Sequence, residues 1–105
     1  MEHEFTVGTR DDQILITLHG DAGSETYEAL LAYLVEVAVP NRPAGVIIDF
    51  ENAVDLPATA YRALSETART MRRSQIPIYA VHVSERTRAC IRRMQLDRGL
   101  PLAGS

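Results

Sequence analysis

The segment from Val46 to Met71 constrains the fold more than any other part of the chain. It opens with a short apolar run, Val46 to Ile48, which ends at Asp49 and is followed by a polar loop. From about Pro57 onward, apolar residues recur with helical spacing. A buried strand that leads into a helix through a short loop is the unit of α/β domains. Such junctions are where these domains usually place their functional residues.

Length and composition indicate one soluble domain that spans residues 1–105. The chain is 46% hydrophobic and 24% charged, which is ordinary for a globular protein. It has no apolar run near the ~20 residues that cross a bilayer, so we expect no membrane insertion. The start of the chain, MEHEFTV, is acidic and lacks the apolar core of a signal peptide. We therefore expect a cytoplasmic location.

Charge and residue usage exclude several function classes. The net charge is −3, which argues against a general nucleic-acid binder. All 11 basic residues are arginine, so mechanisms that depend on lysine are excluded. The single cysteine, Cys90, cannot form an internal disulfide.

Apolar periodicity and turn residues predict an α/β layered domain, with a mixed sheet of four to five strands and helices packed on it. The element order is β-β-α-β-α-β-α-(β), where the last strand is optional. The first two strands, Phe5–Thr9 and Gln13–His19, form a hairpin around Arg10–Asp12. The first helix is capped by Ser24 and ended by Pro40 and Pro43. The remaining predicted elements are the strand Val46–Phe50, the loop Glu51–Asp55, the helix Pro57–Arg73, the strand Ile76–Val83, a Ser84-capped helix Glu85–Gln95, and a brief strand within Leu96–Leu102.

Each predicted helix has one apolar face that we expect to be buried. The residues that form these faces are Tyr27, Leu30, Leu31, Leu34 and Ala38 in the first helix, Tyr61, Leu64, Ala68 and Met71 in the second, and Cys90, Ile91 and Met94 in the third.

Motifs for catalysis or cofactor binding are missing from the sequence. It contains no nucleophile elbow, zinc-ligand motif or glycine-rich phosphate loop, so we expect no cofactor and no metal. His3, His19 and His82 are far apart in sequence. His19 and His82 both lie near strand ends and could approach each other, but no carboxylate or cysteine completes a ligand set. We interpret them as unrelated surface or capping residues, and Cys90 as a packed thiol.

The polar residues around the central loop have two interpretations each. Asp49 and Asp55 could act in acid/base chemistry or bind a cation, but we favour capping of free backbone amides. Thr59 could carry a phosphate at the helix start, or be an ordinary first-turn hydroxyl. The arginines of the last helix (Arg86, Arg88, Arg92 and Arg93) form either a solvated face or a surface for an acidic partner.

Four segments in this order resemble the STAS domain family of anti-sigma factor antagonists, stressosome proteins and sulfate-transporter tails. They are ILITLHGD, ETYEALLAYL, VIIDFENAVDLPATAYRAL and IPIYAVHVSERTRACIRRMQLDRGLPL, and the resemblance spans residues 13–102. The resemblance implies a bacterial regulatory protein that acts by protein–protein binding, without catalysis, through partner switching in the control of transcription.

In that family, an aspartate followed by a phosphorylated serine or threonine opens the second helix. Aligned without gaps from Asp49, the aspartate falls on Pro57 and the phospho-acceptor on Ala58. Thr59 falls on the next hydroxyl position. The alternative register, which places Asp55 on the aspartate, puts Leu56 on the acceptor. The usual acceptor is therefore missing in both registers.

The resemblance leaves three interpretations: a constitutive binder, a binder with Thr59 as a shifted acceptor, and a scaffold whose partner is not a kinase. We favour a binder that is unswitched or differently switched, with an anti-sigma factor, a kinase-like protein or another STAS protein as partner. The alternative function is a subunit of a larger assembly, such as a stressosome or a transporter accessory. A homodimer through the sheet edge is left open. The residues predicted for docking or switching are Asp21, Asp55, Pro57, Ala58, Thr59 and Arg62, within the loops Asp21–Ser24 and Glu51–Asp55 and the helix start.

Overall fold

The computed structural model describes residues 5–20, 24–53 and 58–93. Their element order confirms the predicted one. The optional last strand, within Leu96–Leu102, lies outside the described residues. The elements are β1 (Phe5–Arg10), β2 (Gln13–Gly20), α1 (Ser24–Tyr33), a π-helical stretch (Leu34–Ala38), α2 (Val39–Asn41), β3 (Gly45–Ala53), α3 (Ala58–Arg73), β4 (Ile78–Val81) and α4 (Glu85–Arg93).

The four strands form one mixed sheet in the order β1-β2-β3-β4. β1 pairs antiparallel with β2, whereas β2–β3 and β3–β4 are parallel. The hairpin between β1 and β2 turns on Asp11 and Asp12, both with positive φ (51° and 67°). Two consecutive left-handed residues are typical of the tight turn that matches the twist of a two-stranded hairpin, and aspartate tolerates this conformation well.

One face of the sheet carries the hydrophobic core, and α1 and α3 pack against each other as part of it. Strand alternation directs every second residue of β2, β3 and β4 to that face. The buried strand residues there are Ile14, Ile16, Leu18, Val46, Ile48, Phe50, Ile78 and Ala80. The predicted buried face of α3 is confirmed, and it consists of Tyr61, Leu64, Ala68 and Met71. Four of the five residues predicted for the first helix face are also buried, namely Tyr27, Leu30, Leu34 and Ala38, whereas Leu31 is half-buried.

The first helix does not end at Pro40 as predicted. Its hydrogen bonding widens after Tyr33, and the Val39 N–H donates to the Leu34 carbonyl, a π-type spacing. Pro40 then lies within a continuous helical stretch, because Ala38 and Val39 before it already have helical φ and ψ. The helix ends one residue later. Arg42 adopts a left-handed conformation, and the Asn41 side chain donates to the Val37 carbonyl at 2.6 Å.

Two strand boundaries also differ from the prediction. β3 continues to Ala53, so Glu51–Ala53 belong to the strand and not to the loop. β4 is shorter than predicted, Ile78–Val81, although the Pro77 carbonyl still accepts a bond from the Val46 N–H. The number of neighbouring strands explains both differences. β3 can form hydrogen bonds with a strand on each side, whereas β4 lies at the end of the described sheet and pairs with β3 alone among the described strands. No helix in the described ranges is long and apolar enough to cross a membrane.

Adjacent residues of the π-helical stretch provide a matched test of the core. Leu34 is fully buried and Val35 is 45% exposed. Leu34→Ala should lower the free energy of unfolding by about 2–5 kcal/mol, because it removes buried methyl groups and leaves a cavity. Val35→Ala should change it by less than ~0.5 kcal/mol. Urea denaturation followed by circular dichroism measures both. Equal effects of the two substitutions would contradict this packing.

Candidate docking surface and histidine–carboxylate cluster

The carboxyl ends of the three parallel strands meet at one edge of the sheet. β2 leads to α1 there, β3 to α3 and β4 to α4. In open α/β sheets, this edge is where ligands usually bind. We call it the carboxyl edge. The polar side chains of interest lie on it or on the helix that begins from it.

The residues predicted for docking are described only in part. Asp21, Asp55 and Pro57 lie outside the described residues. Ala58 is the first residue of α3, and Thr59 and Arg62 are exposed in its first two turns. Thr59 and Arg62 are three residues apart and therefore share a face of the helix. The structure thus places Thr59 and Arg62 next to each other on the exposed face of α3.

The exposed face of α3 extends along the whole helix. Thr59, Arg62, Glu66, Arg69 and Arg73 are all exposed, and their spacing places them along one stripe opposite the buried face. We call this set the α3 stripe. It carries three arginines and one glutamate, so its net charge is positive. Glu66 and Arg69 form an ion pair at 3.5 Å between side chains that are both more than half exposed, and such a pair adds little to stability.

The last helix begins at the same edge. The Thr87 N–H donates to Ser84 Oγ at 3.2 Å, which confirms Ser84 as its cap. Thr87 and Ile91 are buried, and Cys90 is partly buried against the core, as expected for a packed thiol. Arg86, Arg92 and Arg93 are exposed and Arg88 is half-buried, so α4 adds further positive charge near the surface.

Asp49 lies where β3 departs from regular pairing. Between Thr17 and His19, β2 advances two residues while β3 advances three, from Asp49 to Asn52. The extra residue therefore lies on β3, as in a β-bulge. Asp49 Oδ1 accepts a bond from the Glu51 N–H at 2.8 Å. The carboxylate thus satisfies a backbone amide at the bulge, which confirms the predicted capping role for Asp49.

The same carboxylate oxygen also accepts a bond from His82. The distance from His82 Nδ1 to Asp49 Oδ1 is 3.0 Å, and the Asp49 side chain is 16% exposed while that of His82 is 58% exposed. His82 has a φ of 55°, a left-handed conformation that histidine adopts more readily than most residues, immediately after β4. This bond and the negative charges of Asp49 and Glu51 raise the pKa of His82 above its usual value.

One oxygen or nitrogen atom from each of Asp49, Glu51 and His82 lies within 4.8 Å of the others. The expectation that no carboxylate completes a ligand set with a histidine was therefore wrong. His19, by contrast, has its Nε2 3.2 Å from Thr6 Oγ1 on β1. The sequence held part of the signal, namely that Asp49 and His82 belong near strand ends, but not the strand order and register that bring them together. Asp49 and His82 both follow apolar strand runs, and adjacent parallel strands end at the same edge.

Tyr27 is a buried polar residue that helical spacing identified only as part of an apolar face. It is 1% exposed, and its hydroxyl has no hydrogen-bond partner among the described residues. Burial, and to a lesser degree the neighbouring Tyr61, raise the pKa of Tyr27 far above its usual range. Tyr27 on α1 and Tyr61 on α3 both belong to the buried core where these two helices pack.

A model of the STAS domain family matches residues 4–105 of the chain. A search of curated proteins gives no significant match. Solved structures are similar in fold at low sequence identity. The Thermotoga maritima protein TM1081 has a TM-score of 0.86 at 10% identity, covering 100% of this chain and 84% of its own. An anti-sigma factor antagonist from Mycobacterium paratuberculosis has a TM-score of 0.78 at 21% identity, covering 96% of this chain and 85% of its own.

The Bacillus anti-sigma factor antagonist SpoIIAA is similar in two states. Its unphosphorylated form has a TM-score of 0.77 at 13% identity, covering 96% of this chain and 88% of its own. Its phosphorylated form has a TM-score of 0.74 at 14% identity, covering 96% and 92%. At these identities, the structural likeness establishes the fold.

The pKa of His82 provides a test of the cluster in metal-free protein. Because Asp49 raises this pKa, the ion pair stabilises the fold fully below the usual histidine pKa of ~6.5, and its contribution is lost as pH rises through the folded-state pKa. Asp49→Asn should therefore lower the pKa of His82, and Glu51→Gln should lower it less. NMR titration of the imidazole protons in the presence of a chelator measures both shifts. An unchanged midpoint in Asp49→Asn would contradict the pairing.

Proposed function

The chain belongs to the STAS domain family, and from this membership we propose that it is a non-catalytic regulatory protein that acts by binding another protein. The proposed manner is that of an anti-sigma factor antagonist, in the cytoplasm of a bacterium and in the control of transcription. Family membership and the similarity in fold to anti-sigma factor antagonists support this proposal.

The observation that carries the proposal is the α3 stripe. It begins with Thr59 and Arg62 at the start of the helix that leaves the carboxyl edge, where the docking surface was predicted. Its arginines outnumber its one glutamate, although the whole chain has a net charge of −3. A local positive surface on an acidic protein favours an acidic partner, because complementary charge speeds encounter and fixes orientation. We therefore propose that the partner presents carboxylates to α3.

The same helix start bears on regulation. In the ungapped alignment from Asp49, Ala58 falls on the position at which the family carries its phospho-acceptor, and an alanine cannot be phosphorylated. Thr59 is the next residue and is exposed in the first turn of α3. A phosphate there would be stabilised by the helix N-terminus, and it would place negative charge on a surface proposed to bind carboxylates. The proposal is thus a binder that is unswitched, or one that is switched through Thr59.

The second candidate is a subunit of a larger assembly, such as a stressosome or a transporter accessory complex. β1 pairs only with β2 among the described strands and is largely exposed, so it offers an edge at which a second copy or another STAS protein could add a strand. Size-exclusion chromatography of the purified chain distinguishes the two candidates, because an assembly subunit elutes at many times the mass of 11.6 kDa.

Thr59→Glu tests the proposed docking surface. It places a carboxylate on the α3 stripe while keeping a residue that suits the first turn of a helix. Repulsion of an acidic partner should weaken binding by ~10-fold or more. The partner is captured from the source cells with the tagged chain and purified. Its affinity for each variant is then measured by biolayer interferometry.

Thr9→Glu is the matched control. Thr9 is an exposed threonine on β1 near the β1–β2 turn, at the opposite end of the sheet from the carboxyl edge. If the partner docks on α3, Thr9→Glu should leave the affinity within ~2-fold of wild type, because surface changes remote from an interface have little effect. A loss of affinity in Thr9→Glu alone would instead place the interface at the β1 edge of the second candidate. Equal affinity of the Thr59→Glu and wild-type chains would remove α3 from the interface.

Phosphorylation of Thr59 is tested by intact-mass measurement of the chain from its own cells, under growth and under stress, with peptide mapping of residues 54–62. A phosphate on Thr59 should appear in one condition if the switch has moved by one residue. An unmodified peptide in both conditions would contradict a relocated switch and leave the constitutive binder. Thr59→Ala, which removes the hydroxyl at the same position, is the control for the modified peptide.

A further inference from the structure

We propose that Asp49, Glu51 and His82 form a binding site for a divalent first-row transition-metal ion, with Zn²⁺ as the ion that fits best. We call these three residues the edge cluster. Asp49 and Glu51 lie on β3, and His82 directly follows the adjacent strand β4. Glu51 lies within the segment predicted for docking, whereas Asp49 and His82 have no place in the docking proposal. The inference does not depend on the function proposed for α3.

The spacing of the edge cluster suits a metal ion. One potential ligand atom of each residue lies within 4.8 Å of the other two. The shortest separation is 3.0 Å, between His82 Nδ1 and Asp49 Oδ1. Two ligands that are each ~2.1 Å from an ion lie ~3.4 Å apart at the tetrahedral angle that Zn²⁺ favours, which is ~0.4 Å more than this separation. A metal ion could therefore take the place of the shared proton with little movement of these two groups, and Glu51 could close onto it by a side-chain rotation.

The chemistry of the ligands selects the class of ion. One imidazole with two carboxylates is a borderline set. Imidazole suits Zn²⁺, Cu²⁺, Fe²⁺ or Ni²⁺, of which Cu²⁺ and Ni²⁺ favour square-planar sites, whereas Ca²⁺ and Mg²⁺ prefer oxygen ligands alone. Thiolate and thioether ligands, which select Cu(I), are absent from the cluster. Zn²⁺ accepts three protein ligands together with a water molecule, and the 58% exposure of His82 leaves access for that water.

The backbone holds two of the three ligands in place. Asp49 is fixed by the bond from the Glu51 N–H at the β3 bulge, and its side chain is only 16% exposed. His82 is held between β4 and the Ser84 cap of α4. Such pre-positioning reduces the conformational entropy that ligands lose on binding. The exposed Glu51 is the adaptable member of the set.

Isothermal titration calorimetry of the tag-free full chain with Zn²⁺, in a non-chelating buffer near neutral pH, tests the site. Saturable binding of one ion is expected. His82→Gln and Glu51→Gln should each weaken it by ~10-fold or more, since even the loss of a residue behind a metal ligand costs 10- to 100-fold. His19→Gln should leave the affinity within ~2-fold of wild type. His19 is the matched control, because it is a histidine near the same edge with a different partner, Thr6.

The location of the ion is read independently by NMR. As Zn²⁺ is added, the first signals to shift should be the backbone amide signals of Asp49, Glu51 and His82 and the imidazole signals of His82. Circular dichroism of Glu51→Gln guards against misfolding, because the exposed Glu51 side chain is the ligand whose replacement perturbs the fold least. Absence of saturable binding up to about 1 mM Zn²⁺ overturns the proposal. An unchanged Zn²⁺ affinity in His82→Gln or Glu51→Gln also overturns it. So do NMR shifts that appear first at residues other than these three.

Discussion

Val46, Ile47 and Ile48 of β3 are buried between two parallel neighbours, and the functional geometry of the molecule depends on that burial. Alternate residues of β2, β3 and β4 line the core under α1 and α3, so a slip of one residue would move apolar side chains into water. The register also determines which residues lie side by side at the strand ends. Asp49 lies opposite Val81, and His82 comes next along the chain. The core therefore determines which polar groups meet at the carboxyl edge.

The carboxyl edge and the helix α3 that begins from it present two surfaces of different character. The α3 stripe is a convex, exposed and mainly positive helix face, which suits a large partner with complementary charge. The edge cluster is a compact group of one imidazole and two carboxylates, which suits a small cation. The two are linked by the chain itself, because β3 carries Asp49 and Glu51 and α3 is the next element. The proposed metal site and the proposed docking helix are thus chemically distinct and lie on consecutive elements of the chain.

Local pattern was enough to predict most of the fold. The alternation in Gln13–His19, the apolar run at Val46 and the stripe from Tyr61 to Met71 each specify an element without reference to distant residues. Errors arose where distant or unusual hydrogen bonding decides the outcome. The π-type bond from Val39 to Leu34 carries the first helix past Pro40, and two-sided pairing extends β3 through Glu51. A helical period of 3.6 residues does not reveal the wider π-type bond, and the alternation along one strand does not reveal how many strands lie beside it.

The sequence by itself determined the element order, most of the buried face of the first helix and of α3, and the family, because these depend on residue spacing and motif order. It also identified Thr59 and Arg62 as surface residues of the second long helix. Only the tertiary structure decided that His82 meets Asp49 across 33 positions of the chain, and that a bulge turns the Asp49 carboxylate toward the Glu51 amide. The physical reason is that strand pairing is non-local: which ends meet depends on register across the sheet, and periodicity along one strand does not contain that information.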